Sequence, residues 1–400
     1  MLQVHEEVQA MKEQMTAWYE ALHKRPEPSF EEYETTEFIR EKLETMGGYR
    51  IWQVMKTGLI AEIEGGKPGP VIALRADIDC LRMQELTDAP FKSEKEGLMH
   101  GCGHDGHTTM LLAAAAFLSA HKEELVGTYR LLFQPAEELP PGGALEYVKA
   151  GVLDGVDYVL GQHVMPFLPT GQFGIKPGPI MAASDRFYIA IHGSGGHASQ
   201  PHLTIDPVAV GIQIGANLQM LVSREVDPLD QLVVSLTNFH AGSGAVNVIP
   251  GEAELSGSVR TFNEETRQMA AKRIKEIAES VAAAHRATVT VKYTFGYDAT
   301  VSDEYVTSVV RDVAVDSFGE ENLPPITPLM GAEDFSRYLK VVPGCFWFLG
   351  IGNEEKGYTH PIHHGCFRID PEALPLGAEL LLKSAFALAE RHESRSIREV

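Results

Sequence analysis

The loop at residues 99–107, with the sequence MHGCGHDGH, constrains this chain more than any other segment. It places one thiol, three imidazoles and one carboxylate among glycines, directly before a helical run at 108–121. Glycine lets the backbone approach a site closely, and nitrogen, sulfur and oxygen donors are what a transition metal requires. A histidine-rich helix cap would contain the same residues, so the interpretation as a metal site depends on donors elsewhere in the chain.

Further donors follow other short apolar runs. Open α/β sheets bind ligands just outside the carboxyl ends of their strands, so donors from several strand ends can converge. The sequence therefore predicts a metal site assembled from distant segments. These segments are 71–74 followed by Asp77 and Asp79, 129–133 followed by Glu137 and Glu138, 158–160 followed by His163, and 345–349 followed by His360, His363 and His364.

The individual donors have alternative roles. Cys102 and His104 can reach a common centre from one short loop, and a thiolate can bridge two ions, but a free cysteine is often an inert core residue. His163 is either a ligand or a buried core histidine. One of the three late histidines is expected to be a ligand. Asp77 and Asp79 are expected to orient a ligand histidine rather than to bind metal themselves.

The pair Glu137-Glu138 predicts the catalytic chemistry. Adjacent residues of an extended backbone point in opposite directions, so one carboxylate can bind metal while its neighbour faces the substrate. A carboxylate beside metal-activated water is suited to act as general base and then to protonate a leaving amine. Most Glu-Glu pairs are solvated surface residues, and only the position after an apolar strand favours this interpretation.

Composition excludes several classes of function. The chain has 34 Lys and Arg against 55 Asp and Glu, a formal net charge of −21, so nucleic acids and anionic membranes are disfavoured as partners. The longest apolar run, at 110–118, is too short for a bilayer span, and no signal peptide is visible. Four cysteines in 400 residues do not form a disulfide framework. A cytoplasmic protein is expected.

Alternating strand and helix patterns predict an α/β fold with an insertion. The catalytic, metal-binding domain is expected at residues 1–183 and 296–400. Between them, residues 184–295 show the order β-α-β-β-α-β of a split βαβ, ferredoxin-like α+β unit. Within this insertion, His197 lies in a glycine-rich turn, Asn247 lies in a loop, and Arg260 ends a strand where its guanidinium could bind a carboxylate.

These segments together resemble metallopeptidase family twenty, and specifically its amidohydrolase branch of aminoacylases, hippurate hydrolases and auxin-conjugate hydrolases. The resemblance extends from PEPSFEE at 26–32 to RIDPEAL at 368–374, and MHGCGHDGH and FQPAEE (133–138) carry most of it. GAEDF at 331–335 adds support. The family implies a metal-dependent amidohydrolase that cleaves N-acyl amino acids by metal-activated water.

The resemblance also implies roles for individual residues. It implies two divalent ions per subunit (Mn, Zn, Co or Ni), with Glu137 as general base. It implies that His197 contacts the substrate carbonyl, that Asn247 and Arg260 hold the substrate carboxylate, and that the insertion is a lid or dimerisation domain of a homodimer or higher oligomer. The implied metal ligands are a bridging Cys102 with His104, Glu138, His163 and His363.

Two departures from the family pattern leave questions open. Arg82 stands near the site where the branch has no charge, and HHGC at 363–366 replaces the usual His-x-Pro, so His364 stays an alternative to His363 and Cys366 is unexplained. A dipeptidase or carboxypeptidase could use the same site. A metal-free hydrolase with Cys102 as nucleophile and a binding protein on a retired hydrolase fold are the remaining alternatives.

Overall fold

The computed structural model describes residues 2–396, which fall into two compact units. The first unit comprises Met1–Ile180, Val301–Thr327 and Asp334–Val400, and the second comprises Met181–Thr300 and Pro328–Glu333. Residues 1 and 397–400, which the sequence assigned to the first domain, lie outside the described residues. The short segment at 328–333 belongs to the second unit, although it follows the insertion boundary predicted from the sequence.

Helices and strands alternate along the chain, as its patterning predicts. The helices are α1 (Val4–Ala10), α2 (Lys12–Lys24), α3 (Tyr33–Met46), α4 (His104–Ala120), α5 (Gly143–Lys149), α6 (Pro207–Met220), α7 (Glu264–Ala284), α8 (Glu304–Phe318), α9 (Ser336–Leu339) and α10 (Ala373–Ser396). The strands are β1 (Arg50–Trp52), β2 (Leu59–Glu64), β3 (Lys67–Asp77), β4 (Val126–Gln134), β5 (Tyr158–Pro169), β6 (Phe173–Gly174), β7 (Gly178–Met181), β8 (Ala183–His192), β9 (Gly196–His197), β10 (Leu232–Ala241), β11 (Val248–Ile249), β12 (Glu252–Thr261), β13 (Thr288–Thr294), β14 (Thr300–Ser302) and β15 (Gly344–Gly352).

The first unit is built on a seven-stranded mixed sheet in the order β1-β2-β4-β3-β5-β15-β6. Its four central strands, β4, β3, β5 and β15, are parallel to one another. The register pairs Asp77 at the end of β3 with Gln134 at the end of β4, and His163 in β5 with Phe348 in β15. The parallel strands therefore present their polar residues at one edge of the sheet, as expected for an open α/β fold.

Helix α4 packs into the core of this unit because it is apolar on almost every side. Its residues from Met110 to Ala115 are fully buried, and a helix without a polar face has to be covered by other elements. The helix begins at His104, earlier than its apolar pattern alone indicates. Gly103 provides the left-handed residue (φ 87°) that starts it, so His104 belongs to the first helical turn and not to the loop.

The second unit contains a four-stranded antiparallel sheet in the order β10-β12-β8-β13. Helices α6 and α7 share a core with this sheet, which includes Ile189, Ile214 and Ile274. Both helices begin at side chains that accept hydrogen bonds from the first turn, Asp206 for α6 and Asn263 for α7. Along the chain, the main elements follow the order strand, helix, strand, strand, helix, strand.

Across residues 2–396, every helix is too short or too polar to cross a lipid bilayer.

Arg267 holds a buried cluster of charges in the second unit. Its guanidinium donates two hydrogen bonds to Asp185, at 2.6 and 2.9 Å, and a third to Asp298 at 2.6 Å. Only 3 % of Arg267 is exposed, so its loss would leave two carboxylates without their cation in a poorly solvated place.

We expect Arg267→Met to lower the free energy of unfolding of this unit by about 3–5 kcal/mol, because a buried ion pair loses one partner. Arg273→Met on the same helix is the matched control, since Arg273 pairs with Glu225 and Glu276 at the surface. Calorimetric unfolding should show a far smaller effect for the control. Equal effects of the two substitutions would contradict the importance of the buried cluster.

Candidate metal centre

The site begins where the glycine-rich loop enters α4. A side chain at position 103 would place its Cβ 2.3 Å from Val164 Cγ2, and the φ of +87° also favours glycine, so both space and conformation require Gly103. This close approach brings Cys102 and His104 against β5, which carries His163. The glycine at position 103 is therefore explained by packing of the loop on the sheet.

Cys102 lies at the centre of the donor atoms. Its Sγ is 3.3 Å from His163 Nε2 and 3.3 Å from His363 Nε2. His363 Nε2 is also 3.3 Å from Glu138 Oε1. Two groups of three donors result, each with all its atoms within 4.8 Å of one another, and Cys102 is common to both. One group adds His104 and His163, and the other adds Glu138 and His363.

The donor atoms fit two divalent cations. His104 Nε2 and Glu138 Oε1 are buried without a hydrogen bond to any described residue, although such atoms are normally satisfied. Burial and the carboxylates of Glu138 and Glu137 raise the pKa of the Cys102 thiol well above its usual value. A coordinated cation would reverse this effect, because a thiol that binds a metal is deprotonated. A metal-free nucleophile would need a lowered pKa, so the surroundings of Cys102 do not favour that alternative.

Asp79 orients His104. Its Oδ1 lies 3.1 Å from His104 Nδ1, which leaves Nε2 of the ring directed at the other donors. Burial opposes the charge on the imidazole, but Asp77 and Asp79 outweigh it and raise the pKa of His104 to about 10 in the absence of metal. This arrangement, a carboxylate behind a ligand histidine, is the common way to fix the ring and its tautomer.

His107 is held one helical turn away and uses both ring nitrogens. Its Nδ1 lies 2.6 Å from Asp77 Oδ1, and its Nε2 accepts the Val164 N–H at 2.9 Å. Because Nε2 accepts a hydrogen bond, the ring is neutral and donates through Nδ1. Burial lowers its pKa accordingly. His107 therefore packs and orients, and it offers no lone pair to a metal.

A buried ion network behind the site was missed by the sequence reasoning. Arg75 donates to Asp77 and to Asp334, each at 2.8 Å, and Gln134 donates to Asp334 at 2.8 Å. The Ala144 N–H donates to Asp334 as well. The available signal was an arginine inside an otherwise apolar strand, since a fully buried guanidinium requires carboxylate partners.

Glu137 and Glu138 do not follow the extended geometry expected from the sequence. Ala136 has a left-handed backbone (φ 58°), and residues 137–139 form a bend after β4. Both carboxylates consequently come within 4.8 Å of a His104 nitrogen instead of pointing to opposite sides. Glu137 is buried, with 6 % of its surface exposed.

Of the late histidines, the structure brings His363 to Cys102. The backbone N–H of His363 donates to the Gly101 carbonyl at 2.7 Å, and this bond connects the loop to the glycine-rich loop. His364 instead accepts the Cys366 N–H through Nδ1 and stacks on His360 at 4.6 Å between ring centroids.

Two residues that depart from the family pattern, Arg82 and Cys366, have partners outside the donor set. Arg82 is exposed and pairs with Glu31 at 2.7 Å, and the Cys366 thiol faces the Leu86 carbonyl at 3.9 Å.

His163 lies within a strand, whereas the sequence reasoning placed it beyond a strand end. Strand β5 continues to Pro169 because β15 pairs with it along this length. The His163 Nδ1 contacts the Val164 carbonyl at 2.8 Å, so Nε2 is the nitrogen that faces Cys102.

The remaining predicted residues lie in the second unit. His197 in β9 pairs with Val248 in β11, and the Ala198 N–H donates to the Asn247 carbonyl at 2.9 Å, so these residues share one short two-stranded antiparallel sheet. His197 and Asn247 are exposed. Arg260 is half-buried on β12, opposite Ser184 of β8.

Comparison with known proteins shows the family of this chain. The model of peptidase family M20/M25/M40 matches residues 73–387, which confirms the resemblance based on the motifs. An N-acyl-L-amino acid amidohydrolase of Geobacillus stearothermophilus is 47 % identical over 290 residues, covering 72 % of this chain and 78 % of the relative. Thermostable carboxypeptidase 2 of Saccharolobus solfataricus is 41 % identical over 360 residues, covering 89 % and 91 %.

A solved structure shows the same fold. The YXEP protein of Bacillus subtilis, described as a dinuclear metal-binding peptidase of the M20 family, superposes with a TM-score of 0.84. It is 37 % identical, and the match covers 96 % of this chain and 99 % of that one.

We expect His363→Gln to lower the content of bound divalent metal, because it removes a donor that contacts Cys102 and Glu138. His364→Gln is the matched control: it changes the neighbouring ring, which lies against His360, and should keep the wild-type content. Elemental analysis of the purified proteins measures both. Metal loss on changing His364 alone would show that the other histidine is the ligand.

Proposed function

This chain belongs to peptidase family M20/M25/M40, and we propose that it is a metal-dependent amidohydrolase that cleaves N-acyl amino acids. The reaction adds water across the amide bond and yields a carboxylic acid and a free amino acid. The observation that carries the proposal is the shared thiol: Cys102 belongs to two groups of metal donors, and Glu137 lies beside them. The 47 % identity to an N-acyl-L-amino acid amidohydrolase supports the substrate class.

Five side chains would hold two cations. When bound, divalent ions such as Mn, Zn, Co or Ni polarise the scissile carbonyl and make a water molecule more acidic. Asp79 keeps the His104 ring in the orientation that binding requires, and the Gly101–His363 hydrogen bond holds the last donor in place. The ligands proposed are Cys102, His104, Glu138, His163 and His363.

Glu137 is the proposed general base and acid. It takes a proton from the water that attacks the acyl carbonyl and gives it to the nitrogen as the carbon–nitrogen bond breaks. The buried position of its carboxylate, within 4.8 Å of donors on His104 and Glu138, supports this role. One residue can carry out both transfers because the proton gained in the first step is the one required in the second.

The second unit is proposed to be a ferredoxin-like lid and dimerisation domain, within the boundaries 184–295, on a catalytic domain of residues 1–183 and 296–400. The strand order β10-β12-β8-β13 and the two helices support the fold assignment. His197 is proposed to contact the substrate carbonyl, and Asn247 and Arg260 its carboxylate. The ten-residue strand β10 lies at a sheet edge, which suits pairing with a second copy in a homodimer.

The free state of all four cysteines supports a reducing compartment, and we propose the cytoplasm.

A carboxypeptidase activity is the second candidate, favoured by the 41 % identity to a thermostable carboxypeptidase. The same donors would serve either reaction, because both hydrolyse an amide next to a free carboxylate. The substrates of the two functions differ on the acyl side of the bond, which is a simple acyl group in an N-acyl amino acid and an amino acid residue in a peptide.

Dialysis against a strong chelator should abolish the hydrolysis of N-acetyl and N-benzoyl amino acids, and added Mn²⁺, Zn²⁺ or Co²⁺ should restore it. Product release measured on these substrates and on dipeptides with a free amine separates the two candidates. Faster turnover of the dipeptides would favour the carboxypeptidase. Turnover that survives metal removal would contradict both.

Glu137→Gln should lower kcat by about 10²–10⁴-fold, since the amide cannot accept the proton from water. The metal content should stay at the wild-type value, because Glu137 is not among the proposed ligands. Steady-state kinetics and elemental analysis of the same sample test this. A variant with near-normal kcat would assign the proton transfers to another group.

A further inference from the structure

Two strained backbone positions meet at one buried carboxylate. Phe30 (φ 68°) and Ala136 (φ 58°) are two of the few described non-glycine residues with a left-handed backbone, which side chains disfavour. Glu32 Oε1 accepts the N–H of Phe30 at 2.9 Å and the N–H of Ala136 at 2.8 Å. Glu32 is fully buried, so water does not compete for these hydrogen bonds.

The same turn also reaches the residue on the other side of Glu137. Ser29 Oγ donates to Asp79 Oδ2 at 2.6 Å, and this oxygen accepts the Glu138 N–H at 3.0 Å. Residues 29–32 therefore hold the backbone before Glu137 directly, through Glu32, and the backbone after it indirectly, through the bond of Ser29 to Asp79. The segment they hold, residues 135–139, has no helix or strand of its own to fix it.

We propose that residues 29–32 form a bracket, with Glu32 as a positioning residue that holds the Ala136 backbone and thereby aims the Glu137 carboxylate. This rests on the proposed function, in which Glu137 transfers the proton. A left-handed alanine relaxes readily to other conformations unless its N–H is held. Relaxation would rotate the following peptide and displace Glu137. The metal donors would stay in place, because four of them lie on other segments and the Glu138 N–H is held separately by Asp79.

Glu27 provides a matched control for Glu32. It is a buried glutamate five positions earlier, and its Oε2 accepts the Thr35 N–H at 2.8 Å at the start of α3. Its other carboxylate oxygen lies 3.6 Å from Lys95 Nζ, so both contacts are away from residues 135–139. Glutamine is a suitable conservative replacement at position 32, because its amide oxygen can accept the same two N–H groups. Burial and Asp79 raise the pKa of Glu32 to about 7, so a neutral side chain is also compatible with the position.

The test compares Glu32→Ala, Glu32→Gln and Glu27→Ala in the metal-loaded protein. For Glu32→Ala we expect a fall in kcat of about tenfold or more, a KM within about threefold of wild type, and an unchanged metal content. Hydrogen exchange of the Ala136 amide should become faster. Glu32→Gln should recover most of kcat, and Glu27→Ala should leave kcat unchanged even if it lowers the melting temperature.

Three results would overturn the bracket: wild-type kcat in metal-loaded Glu32→Ala, no recovery in Glu32→Gln, or an equal loss in Glu27→Ala. If Glu32→Ala does not fold, Ser29→Ala takes its place, with lower kcat and faster exchange of the Glu138 amide expected, and no change in either overturns the bracket. A wild-type protein without turnover of N-acyl amino acids would count against the proposed function alone. Amide exchange at Ala136 in wild type, Glu32→Ala and Glu32→Gln then decides whether the bracket holds the turn: faster exchange in Glu32→Ala alone supports it, and equal exchange in all three overturns it.

Discussion

The carboxylate of Asp79 is the interaction on which the candidate centre depends. It contacts the His104 ring through one oxygen, and through the other it accepts the Ser29 hydroxyl and the Glu138 N–H. Although burial works against its charge, the hydrogen bond with His104 lowers the pKa of Asp79. One anion at the end of β3 therefore links the glycine-rich loop, the turn at 29–32 and the acidic turn after β4.

A second group of buried charges lies behind the donor atoms, around Arg75. Arg75 is buried between Asp77 and Asp334, and these carboxylates also bind His107, Gln134 and the start of α5. A guanidinium can satisfy several acceptors in one plane, so a single residue holds β3 and the segment at 334 together. The donor atoms at the sheet edge thus rest on a rigid polar layer and not on apolar packing alone.

The sequence predicted the α/β fold and most of the residues that gather at the centre, because the apolar runs mark buried strands and their ends carry unusual donors. It could not predict the bend at Glu137, since the N–H of the left-handed Ala136 is bound by Glu32, which is more than a hundred positions away. The choice between His363 and His364 depended on the turn of a loop with no periodic pattern. The position of His163 within β5 depended on pairing with β15, which no local signal contains.

The contact between Cys102 and His363 joins positions that are 261 residues apart in the sequence. One precedes and the other follows all residues of the second unit. The donors therefore have no counterpart in any short piece of the chain, and His363, which follows β15, completes the set. An isolated N-terminal half would contain the thiol, the imidazoles of His104 and His163 and both glutamates, but it would lack His363 and therefore the complete set of proposed ligands. Metal binding by the full set of proposed ligands therefore requires the folded chain. It would show that the segment around His363 has packed against the segment around Cys102.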